Sequence, residues 1–479
     1  MKDDIAVKLE KSKLALAVII LAAGEGKRMK SAMPKVLHAV CGQPMLKYAV
    51  DLATKLNPEK ILIVIRPSRE LFNIFKGQAE MVVQETPLGT ADAVLRTEPF
   101  LRDFKGDVLV LSGDTPLLRA KTIERLAKAH FQGKAAVTLL TAAVKEPKGY
   151  GRIIRNNRGE VERIVEERDC SPGQRRISEI NAGTYIFKTE ELFTAVSEVT
   201  AENDQMEFYL TDCIEILRKR KKKIQAVKTD ELEILGVNSR KELALAGKIL
   251  RERINSKWME RGVTLVDPAS TFIDAEVTIG NDTVIYPFSF LEGKTAIGAN
   301  SKIGPFARLA NTKVGRNVEI QNSVVKESII ANEAVVGPFS HLRPGTVIKK
   351  GAKVGAFVEI KKSEIGPESK VPHLSYIGDA TIGREANIGA GTITCNYDGI
   401  NKHKTVIGDY AFIGSDTQLV APVKIGKKAV TGAGSTITKN VPDESLALER
   451  TKQTIIEGWF EKRMGKDKKA KDKKKNKRR

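Results

Sequence analysis

The chain has 479 residues, with 80 Lys and Arg against 59 Asp and Glu, a net charge of +21, and aromatics at only 5%. Its four cysteines, Cys41, Cys170, Cys213 and Cys395, are scattered with no CxxC pair, which argues against a cysteine zinc site and against a disulfide framework and makes a reducing cytoplasm the simplest compartment. No stretch is long enough to span a membrane, and the basic excess points to anionic partners such as phosphates, nucleic acid or a membrane surface.

Residues 1–13 read as a charged, polar leader. The apolar run Leu14–Ala22 follows it and resembles a signal sequence only superficially, because Asp3, Asp4 and Glu10 spoil a basic leader and the run enters a glycine loop. It reads as a buried first strand. From there to Asn238 apolar strands alternate with helical patterns. Strands are expected at Ile61–Ile65, Val108–Ser112 and Ala136–Ala142, and helices at Met45–Leu56 and Lys121–Phe131. That alternation predicts an α/β domain over 14–238 with a mostly parallel sheet, whose ligands sit at the carboxyl ends of strands. Over 239–262, Leu243, Ala246, Leu250, Ile254 and Trp258 fall at helical spacing and Ser239 stands at the cap position, so a connecting helix is expected.

Beyond it an aliphatic residue recurs every six positions: Ile273, Ile279, Ile285, Leu291, Ile297, Ile303 and Leu309. After slips of one residue the beat returns at Val336, Leu342, Ile348, Val354 and Ile360, and again at Ile407, Ile413, Leu419 and Ile425. A period of six suits neither a helix nor a simple alternating strand. It predicts a β-solenoid over 263–460, three hexads to a coil, with the aliphatic residues stacked inside. Thr394–Thr405 interrupts the beat and is expected to form an inserted loop carrying Asn396 and Tyr397. The end, 461–479, is a basic tail. Lys466–Arg479 alone holds ten Lys and Arg against two Asp, without aromatics for base stacking.

Two groups of residues suggest chemistry. Leu21, Ala22, Ala23 and Gly24 open a small-residue loop after the first strand, where backbone N–H groups can cradle a triphosphate, and Arg28 and Lys35 add cations where charge develops on a leaving pyrophosphate. The loop lacks both the Walker ending and the dinucleotide spacing. Ser31–Leu37, Gln84, Leu88–Ala91 and Ser112-Gly113-Asp114-Thr115-Pro116-Leu117 follow it. On the solenoid, Arg343-Pro344-Gly345, Glu359-Ile360-Lys361, His373-Leu374-Ser375-Tyr376, Asn387-Ile388-Gly389-Ala390 and Asn396-Tyr397 break an otherwise bland repeat. Among these residues the His373 imidazole is suited to accept a proton near neutral pH.

Together these motifs resemble the sugar-1-phosphate nucleotidylyltransferases and, joined to a hexapeptide solenoid, the bacterial bifunctional N-acetylglucosamine-1-phosphate uridylyltransferase and glucosamine-1-phosphate N-acetyltransferase family. The resemblance covers about residues 14–460. It implies a nucleotidylyltransferase domain, Rossmann-like, joined by a long helix to a left-handed parallel β-helix that forms a homotrimer, with an acetyltransferase site built from more than one chain. It implies that Leu21, Ala22, Ala23, Gly24 and Lys35 bind UTP, that Gln84, Gly89 and Thr90 read the uracil, and that Ser112, Gly113 and Asp114 also bind the nucleotide or its sugar product. Asp114 and Asn238 would bind Mg²⁺. Gly151, Glu166 and Asn181 would hold N-acetylglucosamine 1-phosphate.

For acetyl transfer the resemblance makes His373 the proton acceptor, with Glu359 orienting it. Arg343, Lys361, Tyr376 and Asn387 would hold glucosamine 1-phosphate, and Ala390, Asn396, Tyr397, Ser415, Ala433 and Arg450 acetyl-CoA. The product would feed envelope polysaccharides. Lys27 departs from the family's usual threonine and adds a cation near the triphosphate. Two rival readings stand beside this one: a single-function nucleotidylyltransferase with a non-catalytic solenoid, and a nucleic-acid scaffold driven by the charge. No specific nucleic-acid partner is expected.

Overall fold

A computed structural model describes residues 15–466, so the expected leader and most of the basic tail lie outside the described residues. The chain divides into two compact units. The first runs through Arg261 and takes in Asp267–Val277 and Leu291–Gly293; the rest forms the second.

The first unit is built on a nine-stranded sheet. Its strands are β1 (Leu16–Leu21), β2 (Lys60–Ile65), β3 (Glu80–Val83), β4 (Asp107–Ser112), β5 (Val137–Ala143), β6 (Arg152–Arg155), β7 (Val161–Val165), β8 (Glu179–Lys188) and β9 (Ile224–Thr229). The order is β9-β5-β8-β4-β1-β2-β3, with β6 on β8 and β7 on β6. β1 is parallel to both β2 and β4. It reads as an unbroken apolar run because both faces are covered: Val18 and Ile20 join one core layer, Ala17 and Ile19 the other. The sheet is mixed, since β8 runs antiparallel between β4 and β5.

Each expected strand and helix is present, with its ends within three residues of those expected. The expected helices are α1 (Met45–Lys55), α2 (Ala120–Gly133) and α3 (Arg240–Met259). The Ser239 hydroxyl accepts from the Glu242 amide (3.3 Å) and Glu242 reaches back to the Asn238 amide just before the cap (2.7 Å), which together fix the start of α3.

The second unit is a left-handed parallel β-helix of strands two to four residues long. Ile285, Ile303, Ile320, Val336 and Val354 stack along one of its sheets, each strand parallel to the next. The six-beat residues are buried throughout. Where the beat slips, the ladder continues: Val314, Ile320, Val325 and Ile330 are buried rungs, and Val314, Val325 and Ile330 are reached by corners one residue shorter. Where a glycine follows the aliphatic residue, as after Ile279, Ile297 and Val354, the coils approach closely. A Cβ at Gly298 would lie 2.5 Å from the Gly315 carbonyl oxygen.

Inside each coil sit Ser and Thr hydroxyls as well as aliphatic groups. Those of Thr283, Ser301, Thr346 and Ser363 donate to carbonyls one coil on, at Gly298, Gly315, Ile360 and Ile377 (2.9, 3.2, 3.2 and 3.3 Å). Burial without a partner would cost each about 1–3 kcal/mol.

Candidate functional sites

At the carboxyl end of β1 the chain turns through the small-residue loop and opens a cavity of about 480 Å³. Leu21, Ala22, Ala23, Gly24, Lys35, Gln84, Gly89, Thr90, Ser112 and Asp114 all line it. Gly113 is buried behind, its amide donating to the Leu21 carbonyl (2.9 Å), which ties β4 to β1 at the rim. The loop closes tightly on Lys35: Gly26 has φ +65°, and a Cβ there would come 2.7 Å from the Lys35 Cβ.

The Lys35 ammonium is the centre of the site. It donates to Asp114 Oδ2 at 2.5 Å and to Asn238 Oδ1 at 2.9 Å. Those two oxygens therefore converge on one cation from opposite parts of the sequence. The Asp114 carbonyl also accepts from the Val237 amide (2.9 Å), which fixes the Asn238 segment beside it. No group of three or more His, Cys, Asp or Glu residues that could hold a metal ion occurs among the described residues. One carboxylate and one amide oxygen suit Mg²⁺, which keeps water and phosphate as further ligands.

Gln84 is buried at 2% exposure, and its amide nitrogen donates to Gly89 O (3.1 Å) and Asp92 Oδ2 (2.8 Å). With both N–H groups used, its oxygen is left as an acceptor. Arg28 is exposed and does not line the cavity. Lys27 does line it, paired with Glu25 at 2.6 Å, and Glu25 is also 3.5 Å from Arg66. The hydrogen bond from Lys27 holds the Glu25 carboxyl below its ordinary range. Glu25 and Glu207 line the cavity without having been singled out from sequence. Glu25 lies within the loop motif itself, and no motif marks Glu207.

Gly151, Glu166 and Asn181 come together as expected. The Asn181 amide donates to Gly151 O (2.9 Å), and a methyl on Gly151 would lie 3.2 Å from Glu166 Oε1. The Thr211 hydroxyl donates to Glu166 (3.1 Å), yet burial still raises that carboxyl above its ordinary value. Ser112 Oγ, 3.5 Å from the Gly183 carbonyl, links this cluster to the cavity.

On the solenoid the expected residues fall into two columns. His373 pairs with Ala356 on the coil before and, through Ser375, reaches Gly389 beside Ala390 on the coil after (3.4 Å). Ala390 O accepts from the Asp416 amide next to Ser415 (2.7 Å), Ser415 O from the Gly434 amide next to Ala433 (2.8 Å), and Ala433 O from the Arg450 guanidinium (3.3 Å). His373, Ala390, Ser415, Ala433 and Arg450 thus ascend one corner, coil by coil. Asn387 stands on the same sheet as His373.

The second column belongs to a neighbouring sheet. Glu359 pairs with Tyr376, and Arg343 and Lys361 flank them. Here one expectation fails: Glu359 does not touch His373. Its carboxylate binds Arg343 Nη1 at 2.9 Å, because strand pairing puts Arg343 one coil below it. His373 is exposed, and its ring makes no hydrogen bond among the described residues.

The inserted loop is folded by Asp398, which accepts from the Ile400 and Asn401 amides (2.8 and 2.6 Å) and from His403 (2.7 Å). Those three donors depress its carboxyl well below its ordinary value. Asn396 points inward, 6% exposed, and donates to Asp379 (2.5 Å), while Tyr397 is exposed. The loop brings Lys402 beside Lys361, whose ammonium is pushed below its ordinary value by that neighbour. Lys402 was not singled out from sequence; its place on the inserted loop was the available signal.

Comparison with known proteins gives two family models, the nucleotidyl transferases over residues 17–262 and the six-repeat bacterial transferase hexapeptides over 276–311 and 404–439. Among curated relatives, a protein of Heliobacterium modesticaldum named "Bifunctional protein GlmU" is 50% identical over 92% of this chain and 97% of its own length. Proteins of the same name from Caldanaerobacter subterraneus and Clostridium beijerinckii are each 48% identical, over 94% and 93% of this chain and 99% and 98% of theirs.

Proposed function

Because this chain belongs to the GlmU family of bifunctional proteins, we propose how its two transfers divide among the residues described above. The protein is a transferase with two activities, uridylyl transfer in the first unit and acetyl transfer on the hexapeptide repeats. The proposed order is acetyl transfer from acetyl-CoA to glucosamine 1-phosphate, then coupling of N-acetylglucosamine 1-phosphate to UTP, giving UDP-N-acetylglucosamine and pyrophosphate.

In uridylyl transfer the β1 loop and Lys35 cradle the triphosphate. The Gln84 oxygen accepts the uracil N3–H, and Gly151, Glu166 and Asn181 hold the acetylated sugar. A phosphate oxygen of the sugar attacks the α-phosphorus in line, and the bond to the bridging oxygen of pyrophosphate breaks. No protein nucleophile is required; positioning and charge neutralisation suffice. Bound Mg²⁺, held by Asp114 and Asn238, would neutralise phosphate charge. The observation that carries this reading is the meeting of Lys35, Asp114 and Asn238 at one point, although Asp114 and Asn238 lie 79 and 203 residues from Lys35.

In acetyl transfer His373 takes a proton from the sugar amine as nitrogen attacks the thioester carbonyl. The Ala390 N–H faces the developing oxyanion, and the departing CoA sulfur receives the proton. Arg343, Lys361 and Lys402 supply three cations for the sugar phosphate, beside Tyr376 and Asn387. Ser415, Ala433 and Arg450 extend the same corner as a track for CoA. A homotrimer through the β-helix and a cytoplasmic location belong to the same proposal. Among the described residues no helix is long and apolar enough to cross a membrane.

The test is product mass spectrometry with glucosamine 1-phosphate, acetyl-CoA, UTP and Mg²⁺. Wild type should yield UDP-N-acetylglucosamine. His373→Ala should yield it only when N-acetylglucosamine 1-phosphate is supplied. A wild type that needs acetylated sugar from outside would leave the single-function reading in its place.

A further inference from the structure

A second, larger cavity of about 730 Å³ lies in the first unit behind the Asp114 loop, between α1, the Pro116–Ala120 segment and α3. None of the residues lining it belongs to either reaction. Its apolar wall includes Tyr48, Leu52, Pro116 and Leu250, and its cationic side is formed by Lys55, Arg119, Arg253 and Lys257. Two acids also line it. Asp51 is committed to Lys47, and Glu260 accepts a hydrogen bond from Ser256 (3.2 Å).

The four cations are poorly compensated. Arg119 has only Glu233, at 3.7 Å. Arg253 spends Nη1 on the Leu117 carbonyl (2.6 Å), while its buried Nε has no partner. Lys257 lies over the Trp258 ring, 4.9 Å from its centre, and neither it nor Lys55 has a carboxylate within ion-pair distance among the described residues. Burial, then Arg119, lowers the pKa of Arg253; burial, then Arg261 and Lys55, lowers that of Lys257. Positive charge gathered along one side of a cleft attracts an anion into it.

We propose that this cavity binds a small phosphomonoester with an apolar body, the body against Tyr48, Leu52 and Leu250 and the phosphate among Lys55, Arg253 and Lys257. A pocket of this volume with an apolar lining and a few convergent charges has the form of a small-molecule site. The proposal is independent of how the two transfers are assigned.

The probe is 1-naphthyl phosphate, titrated calorimetrically into the full-length protein with and without saturating UTP. One event per chain is expected, surviving UTP and weakening as salt rises. The Lys55→Glu/Lys257→Glu variant changes two exposed side chains and should retain uridylyl transfer. It should bind at least about tenfold more weakly, the loss of two favourable charge contacts and their reversal. Neutral 1-naphthol should not bind measurably. Displacement by UTP would move the probe to the nucleotide cavity and overturn the proposal. Unchanged affinity in the double variant, equal binding of 1-naphthol, or no saturable binding to wild type would each overturn it as well.

Discussion

The first unit holds its ligand groups by enclosure and the second by display. Around Lys35 the side chains are withdrawn: Lys35 is 10% exposed and Asp114 21%. Arg343 and Glu359 on the solenoid are 41% and 40% exposed. The cause lies in the architecture. A doubly covered sheet has loops at its strand ends that fold over one another, and they bring residues from distant sequence into one cavity. A coil of two- and three-residue strands has no such loops except where one is inserted, so its polar groups stand on outer rungs. On the proposed assignment the first site draws on one chain, and the proposed trimer would give the second a further surface that excludes water.

The sharpest break between the two regions should come from His373→Ala. Loss of the general base should cut acetyl-transfer kcat by about 10²–10⁴-fold while uridylyl transfer, measured by pyrophosphate release, stays unchanged. Asp114→Asn should do the reverse. Loss of the carboxylate should lower uridylyl transfer by about 10²–10³-fold and leave thiol release from acetyl-CoA at the wild-type rate. Loss of both activities in either variant would end the claim of separable sites.

A smaller effect addresses display alone. Lys402→Ala removes one exposed cation of three, so KM for glucosamine 1-phosphate should rise about three- to tenfold with little change in kcat. A fall in kcat at constant KM would move Lys402 from substrate holding to the chemical step.

The smallest effect concerns enclosure. Burial, then Glu215 and Asp169, pushes the Asp212 carboxyl up to about 6. Its folded-state value is therefore above its ordinary one, so the native protein gains stability as pH falls from 7 through 6 towards 4, and at pH 7.5 the buried charge is a penalty. Asp212→Asn should stabilise by about 1 kcal/mol at pH 7.5, after discounting for partial exposure, with the gain gone by about pH 4. A thermal melt series across that range checks it; a gain that persists at pH 4 would point to packing.

The sequence was most legible where one interaction repeats. The six-residue beat exposed the ladder from Ile273 onward because each rung is an aliphatic group in the same place. It was silent from Val314 to Ile330, where shorter corners changed the spacing and left the stacking intact. The phosphate loop, Asp114 and Asn238 were read through motif resemblance, and the sheet brings them within hydrogen-bond reach. The pairing of Glu359 with Arg343 was not legible. It depends on which residues face each other across neighbouring coils, and that register is set by the lengths of the intervening corners. Glu207 escaped for a similar reason, since it reaches the cavity by chain folding with no local pattern, whereas Glu25 lay within the loop motif and was passed over in favour of the cations.

The hydroxyls inside the solenoid have a consequence for how it comes apart. Several donate to a carbonyl of the next coil, as Thr283, Ser301, Thr346 and Ser363 do, so opening a coil in the middle strands donors on one side and acceptors on the other. Removing an end coil breaks a single set. Such an array frays from its free end, like a zipper, and does not bubble from within. Amide hydrogen exchange should therefore form a gradient, fastest near Leu446–Ala447 and slower coil by coil towards Ile360, so that the exchange rate reads out position along the stack.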